Sequence, residues 1–95
     1  MSSLQITTHL LNGRNYLQWA QSVKIVVCAR GKLDYLTGDL PPPTTTDPTY
    51  PTWLGDNSIV LAWLINSMEM NISRRNLWFQ TAKEVWDGVR ACTLT

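Results

Sequence analysis

The sequence is poor in the residues from which metal centres and catalytic sites are built. Its 95 residues include one histidine, His9, and two cysteines, Cys28 and Cys92, without CxxC spacing. A zinc site is therefore not expected, and we interpret the cysteines as reduced, packed thiols of a cytosolic or nuclear protein. His9 is expected on the surface close to the N terminus.

Catalytic and phosphate-binding motifs are also missing. The chain has no Walker A spacing, no GxGxxG and no HExxH. Its seven carboxylates are dispersed, so no acid and base can be paired. We predict that the protein is not an enzyme, and we expect neither a cofactor nor a small-molecule substrate.

Charge gives little indication of a partner. The formal net charge is +1, from eight basic and seven acidic residues without runs of either sign. This charge distribution excludes a strongly basic surface of the kind that binds nucleic acid or membranes. Any RNA contact should therefore be weak or indirect. Arg74 and Arg75 form the densest basic spot, which we interpret as a solvated helix face.

The seven apolar residues at 59–65 are too few to span a bilayer, which needs ~20. No secretory signal opens the chain.

What the chain does contain is helical periodicity with five tryptophans. Tyr16, Trp19 and Val23 lie on one apolar stripe, which predicts a helix that begins after Asn15 and ends where Gly31 can adopt the C′ position.

The back of this first helix carries a second apolar set, formed by Leu17, Ile25 and Cys28. Gln21 and Lys24 interrupt it. The set either packs on the N-terminal arm or forms a contact surface, and the pattern alone leaves both open.

Residues 58–70 predict a central helix, because Val60, Trp63 and Leu64 belong to an apolar arc too wide for a surface helix. An interruption is expected at residues 71–73, where Ser73 could cap a short segment. All five prolines lie in residues 39–52, which predicts an exposed loop rather than helix or central strand.

The last helix is marked by Thr81 and Glu84, which have capping-box spacing. Together these patterns predict one all-α domain over residues 1–95, a bundle of four to five helices with a flexible arm at 1–11 and a proline-rich loop at 39–52. Three tryptophans on different helices, at 19, 63 and 86, are expected to meet in one cluster. The inward face of the last helix should comprise Ala82, Val85, Trp86, Val89 and Cys92. The predicted core residues are Tyr16, Trp19, Val23, Val60, Trp63, Leu64, Val85, Trp86 and Val89.

Four groups of residues recur in an order and spacing that can be compared with a known family: Asn15-Tyr16 with Trp19, Gly38 before the prolines, Trp63 with Asn66-Ser67-Met68, and Thr81-Ala82 with Trp86. Over residues 11–90 this pattern resembles the N-terminal Gag region of plant Copia-type LTR retrotransposons. The resemblance implies a structural, non-catalytic protein with a fold like a capsid N-terminal domain. It also implies self-association into a virus-like particle around the element's RNA, in the cytoplasm or the nucleus.

The sequence departs from the family pattern in two places. Met70 stands where proline is usual, which would let the central helix continue or loosen the junction there. After Arg90, further helices and a zinc knuckle would normally follow. Two hypotheses result: a capsid module that self-associates through helix faces, with Leu17, Ile25 and Cys28 as contact residues, or a host-retained, truncated Gag fragment that interferes with Gag assembly.

Overall fold

A computed structural model describes Thr7 and residues 9–94 of the chain. In this part the only paired β-structure is an isolated bridge between Leu11 and Met68. The predicted all-α bundle is therefore confirmed. Its five helices are α1 (Tyr16–Ala29), α2 (Asp34–Thr37), α3 (Tyr50–Asn66), α4 (Met70–Asn76) and α5 (Ala82–Leu94).

Helix α1 ends as the sequence predicts. Gly31 has φ +73°, a left-handed conformation that glycine adopts without steric cost. Its N–H donates to the Cys28 carbonyl at 2.9 Å, and the Lys32 N–H donates to the Val27 carbonyl at 3.0 Å. This pair of bonds is a Schellman motif, which satisfies carbonyls that the helix end leaves without intrahelical donors.

The start of α1 lies at the predicted residue, but Asn15 acts differently from a side-chain cap. It occupies the N-cap position without a capping hydrogen bond. Its Nδ2 instead donates to the Leu10 carbonyl at 2.9 Å, and its Oδ1 accepts from the Asn12 N–H at 3.0 Å. Asn15 therefore fixes the turn that precedes the helix.

Helix α3 begins earlier than predicted, since Tyr50, Pro51 and Thr52 are helical rather than part of the proline-rich loop. Proline is tolerated there because the N–H groups of a first helical turn have no intrahelical acceptor. Asp47 holds the turn just before α3, because its carboxylate accepts hydrogen bonds from the backbone N–H and the hydroxyl of Thr49, at 2.8 and 2.7 Å.

The end of α3 was also predicted wrongly. The helix stops at Asn66, and residues 71–73 lie within α4 rather than interrupting a helix. The Ser67 carbonyl, which a continuing helix would use internally, accepts instead from the Leu11 N–H at 2.9 Å and the Trp19 Nε1 at 3.0 Å. The Glu69 N–H then donates to the Leu11 carbonyl at 3.0 Å. A segment distant in sequence thus ends α3.

Helix α5 begins with the predicted capping box. The Glu84 N–H donates to Thr81 Oγ1 and the Thr81 N–H donates to Glu84 Oε1, both at 3.1 Å. Asn57, a buried polar residue of α3, adds a second attachment. Its Oδ1 accepts from the Ala82 N–H and its Nδ2 donates to the Gln80 carbonyl, both at 2.9 Å. These bonds pair the polar atoms of a buried amide, which would otherwise be costly.

The proline-rich loop and α2 are attached to α3 by polar contacts. Trp53 Nε1 donates to the Leu40 carbonyl at 2.9 Å. The Tyr35 hydroxyl donates to one oxygen of Asp56 at 3.1 Å, and Lys32 lies 3.5 Å from the other. Trp53 therefore anchors the loop from inside the first turns of α3. Among the described helices, none is long and apolar enough to cross a membrane.

Candidate functional site

The outer side of α1 presents three exposed side chains, Leu17, Ile25 and Cys28, which we call the α1 face. Leu17 and Ile25 are 76% and 58% exposed, and Cys28 is exposed as well. Gln21 and Lys24 lie between them and are also exposed. Residues 1–6 and 8 of the predicted arm lie outside the described residues, so packing on the arm and a contact surface both stay predictions for this set.

The opposite side of α1 is fully packed. Val23 and Val27 are completely buried, and Trp19 is 2% exposed. Because the inner side chains hold the helix in the core, the α1 face is presented on a fixed backbone. A preorganised surface loses less conformational entropy on binding than a mobile one.

The nine predicted core residues lie in or against one hydrophobic cluster. Eight of them are buried, and Trp86 is half-buried. Five further apolar residues are buried: Leu11, Val27, Leu36, Met68 and Ala82. Val27, Met68 and Ala82 belong to apolar stripes of the predicted helices. Leu11, the last residue of the predicted arm, and Leu36 belong to no long stripe, so no local signal marked them.

Two of the three predicted tryptophans form a ring pair. The rings of Trp19 and Trp86 lie 5.7 Å apart at 34°, and Tyr16 adjoins Trp19 at 6.1 Å. Trp63 is in the same cluster, with the Arg30 guanidinium 4.6 Å from its ring centroid. This distance is within the range of a cation–π interaction.

The cysteines differ from the prediction of packed thiols. Both Cys28 and Cys92 are exposed. Cys92 was placed on the inward face of the last helix, but it lies at the rim, near the end of α5, where the core no longer covers that face. The described residues contain no group of His, Cys, Asp and Glu that could hold a metal ion.

A groove of about 530 Å³ lies beside α4 and α5. Its wall combines apolar side chains with the amides of Asn12, Asn71 and Asn76, and with Arg75 and Cys92. None of its lining residues is a histidine or a carboxylate. The described lining thus offers apolar surface together with amide and guanidinium groups that can form hydrogen bonds.

The pKa values of three side chains are shifted by their surroundings. Burial raises the pKa of Tyr16, with the Arg90 charge acting in the opposite direction. Burial and the hydrogen bond to Asp56 raise the pKa of Tyr35. The hydrogen bonds from Thr49 lower the pKa of Asp47. Each of these shifts follows from a contact that positions a helix or a loop.

Sequence reasoning also missed a second exposed surface. Trp78 is 88% exposed and Leu77 is 63% exposed, at the end of α4. Arg74 and Arg75, which precede them, are exposed as predicted for a solvated face. The sequence offers one signal, since Leu77 and Trp78 follow the two arginines after a single residue, Asn76, and continue no apolar stripe.

Comparison with known proteins supports the resemblance found in the sequence. The model of a family described as Gag-polypeptide of LTR copia-type matches residues 1–44 of this chain. The matched part includes α1, α2 and the first prolines. The resemblance to the N-terminal Gag region of Copia-type retrotransposons is therefore confirmed there, and its extension over residues 45–90 stays a prediction. Searches of the curated proteins and of the solved structures found no significant match.

Proposed function

We propose that this chain is a structural, non-catalytic module of a Gag-type capsid, which self-associates through the α1 face. The Copia-type Gag match over residues 1–44 supports a capsid-like role, and it includes the whole of α1. In this proposal the partner is a second Gag-like chain, and RNA is enclosed by the assembly rather than bound specifically by this domain.

The observation that carries the proposal is the exposure of Leu17 and Ile25 on a helix that is otherwise fixed in the core. Covering an apolar side chain contributes ~25 cal/mol per Å² removed from water, less the entropy lost on association. A face of this size supports weak contacts of the kind that become effective when many copies assemble.

The test is the concentration dependence of size, measured by sedimentation velocity. Wild-type protein should form dimers or larger species as the concentration rises. Ile25→Asp should weaken this association by at least ~10-fold, because the carboxylate must lose water to enter an apolar contact.

Ile59→Asp is the matched control, since Ile59 is an exposed isoleucine on α3 (44% exposed). It introduces the same charge away from the α1 face and should leave association unchanged. A wild-type chain that stays monomeric at millimolar concentration, or equal effects of the two substitutions, would contradict the proposal.

A further inference from the structure

The exposed end of α4 has the composition of an interaction site. We call it the α4 tip: Arg74, Arg75, Leu77 and Trp78. Tryptophan and arginine are enriched among the residues that contribute most to protein interfaces. Here Trp78 is 88% exposed, and both arginines are exposed. Within the described part of the chain, neither guanidinium forms a salt bridge.

A surface of opposite charge lies at the start of the proline-rich loop. We call it the acidic loop: Asp34, Asp39, Leu40, Pro41 and Pro42. Both carboxylates are exposed, neither forms a salt bridge among the described residues, and Leu40 is 44% exposed. The loop is already anchored, because Trp53 Nε1 donates to the Leu40 carbonyl at 2.9 Å. Binding there would cost little ordering entropy.

The charges of the chain are segregated by segment, although they form no runs. Residues 33–73 contain five carboxylates and no lysine or arginine. Within residues 70–82 the reverse holds, with two arginines and no carboxylate. In sequence, the acidic loop therefore lies in a segment with no cation, and the α4 tip in a segment with no anion. In the fold the Lys83 side chain lies against Gly38, between the two carboxylates of the loop, but its ammonium is paired with Asp87.

We propose that the α4 tip of one copy binds the acidic loop of a second copy. Arg74 and Arg75 pair with Asp34 and Asp39, while Trp78 packs on Leu40 and the prolines. Both parts have precedent, since arginine forms directed bonds to carboxylates and proline-rich segments bind aromatic surfaces.

This contact joins two different surfaces, so it is heterologous: it closes into a ring or extends into an open chain. The inference rests on the proposed function in assigning self-association to this chain. It uses no residue of the α1 face, and it gives each copy a second, directional contact.

Charge reversal tests the pairing. The double variants Arg74→Glu/Arg75→Glu and Asp34→Arg/Asp39→Arg should each weaken self-association by ~10-fold or more in sedimentation velocity. A mixture of the two should form heterodimers at wild-type concentrations or below, because the reversed tip and the reversed loop complement each other. Circular dichroism of each variant checks that the helices are retained.

Trp78→Ala tests the apolar part of the contact without changing charge. It should weaken association by ~10- to 30-fold, whereas the matched Leu54→Ala, at a residue 43% exposed on α3, should have no effect.

Several outcomes would overturn the inference. One is a mixture of reversed variants that stays monomeric although both are folded. Another is a monomeric wild type that binds a single-stranded oligonucleotide through Arg74 and Arg75, which would assign the α4 tip to nucleic acid. If only Ile25→Asp lost association, the contact between the α4 tip and the acidic loop would be overturned and the α1 face would be supported. If only the reversed variants lost association, the α1 face would be overturned and the contact between the α4 tip and the acidic loop would be supported.

Discussion

The two ends of the segment between α3 and α5 are held by different kinds of interaction. At the start of α5, Thr81 and Glu84 bond to each other's backbone across three residues. At the end of α3, the Ser67 carbonyl accepts hydrogen bonds from Leu11 and Trp19, which lie about fifty residues earlier. The start of α5 is therefore fixed by hydrogen bonds between residues close in sequence. The end of α3 is fixed by hydrogen bonds that form only when the fold is assembled.

The comparison explains which helix boundaries could be read from the sequence. A capping box and a C′ glycine act within six residues, so Thr81 and Gly31 marked the start of α5 and the end of α1 correctly. Nothing in residues 58–70 indicates that α3 stops at Asn66, because the groups that end it belong to the N-terminal segment and α1. Four substitutions can test this difference between a helix boundary set by local residues and one set by distant residues.

Trp19→Ala should destabilise the protein most. It removes a ring that is 2% exposed and pairs with Trp86, together with the Nε1 donor to Ser67. We expect a loss of ~3–5 kcal/mol, which for a chain of this size corresponds to a fall of at least ~12 °C in Tm or a failure to fold. Trp53→Ala, at a half-buried ring, should cost less. Thermal denaturation of both variants decides the order, and a reversed order would contradict the assignment of Trp19 to the centre of the core.

Leu11→Ala should come next, with a loss of ~2–4 kcal/mol from the cavity left by a side chain that is 1% exposed. The substitution also loosens the bridge to residues 67–69, so the Glu69 amide should exchange faster with solvent than in wild type. The Glu84 amide should not change. Leu10→Ala, at 45% exposure, is the neighbouring control. A loss as large at Leu10 as at Leu11 would show that the bridge does not hold the α3 end.

Asn57→Ala should cost ~1–3 kcal/mol, because it leaves the buried Ala82 N–H without its acceptor and the Gln80 carbonyl without its donor. Urea denaturation provides the measurement. Asn66→Ala is the control, since Asn66 is exposed and its amide donates within α3 to the Ala62 carbonyl. Equal stability of the two variants would mean that the attachment of α5 to α3 contributes nothing.

Thr81→Ala should have the smallest effect, ~1 kcal/mol, through the loss of a capping hydroxyl. The Glu84 amide should exchange faster, while the Glu69 amide keeps its wild-type rate, the reverse of the pattern for Leu11→Ala. Thr81→Ser retains the hydroxyl and should restore protection of Glu84. If Thr81→Ala instead exposed the Glu69 amide, the two junctions would be one cooperative unit rather than two.

Much of the fold could be predicted because apolar periodicity reports which side of a helix is buried. The stripe through Tyr16, Trp19 and Val23 predicted α1, and Val60, Trp63 and Leu64 predicted α3. Composition misjudged the helical start at Tyr50, where Pro51 suggested a loop although a first turn accepts proline. It also misjudged Cys92, which shares the inward angle of α5 but lies beyond the part of the core that would cover it.

The candidate surfaces were predictable to different degrees. Leu17, Ile25 and Cys28 stood out because a helix with one buried stripe showed a second apolar set. Trp78 did not, since a tryptophan beside Leu77 and Phe79 has the composition of a core segment, and only the turn after Asn76 directs it outward. The charge complementarity between the α4 tip and the acidic loop is visible in the sequence, but their simultaneous exposure is not.

The all-α class, the stripes that form the core, the helix boundaries at Gly31 and Thr81, and the resemblance to Copia-type Gag over the first residues can all be read from the sequence. Each of these depends on neighbours within a few turns of the chain or on order along it. Three features follow only from the assembled fold: the end of α3, the burial of Leu11 and Asn57, and the exposure of Trp78. Those outcomes depend on which distant group donates a hydrogen bond to a carbonyl or packs over a ring. The spacing of residues along the chain does not show which distant groups come together.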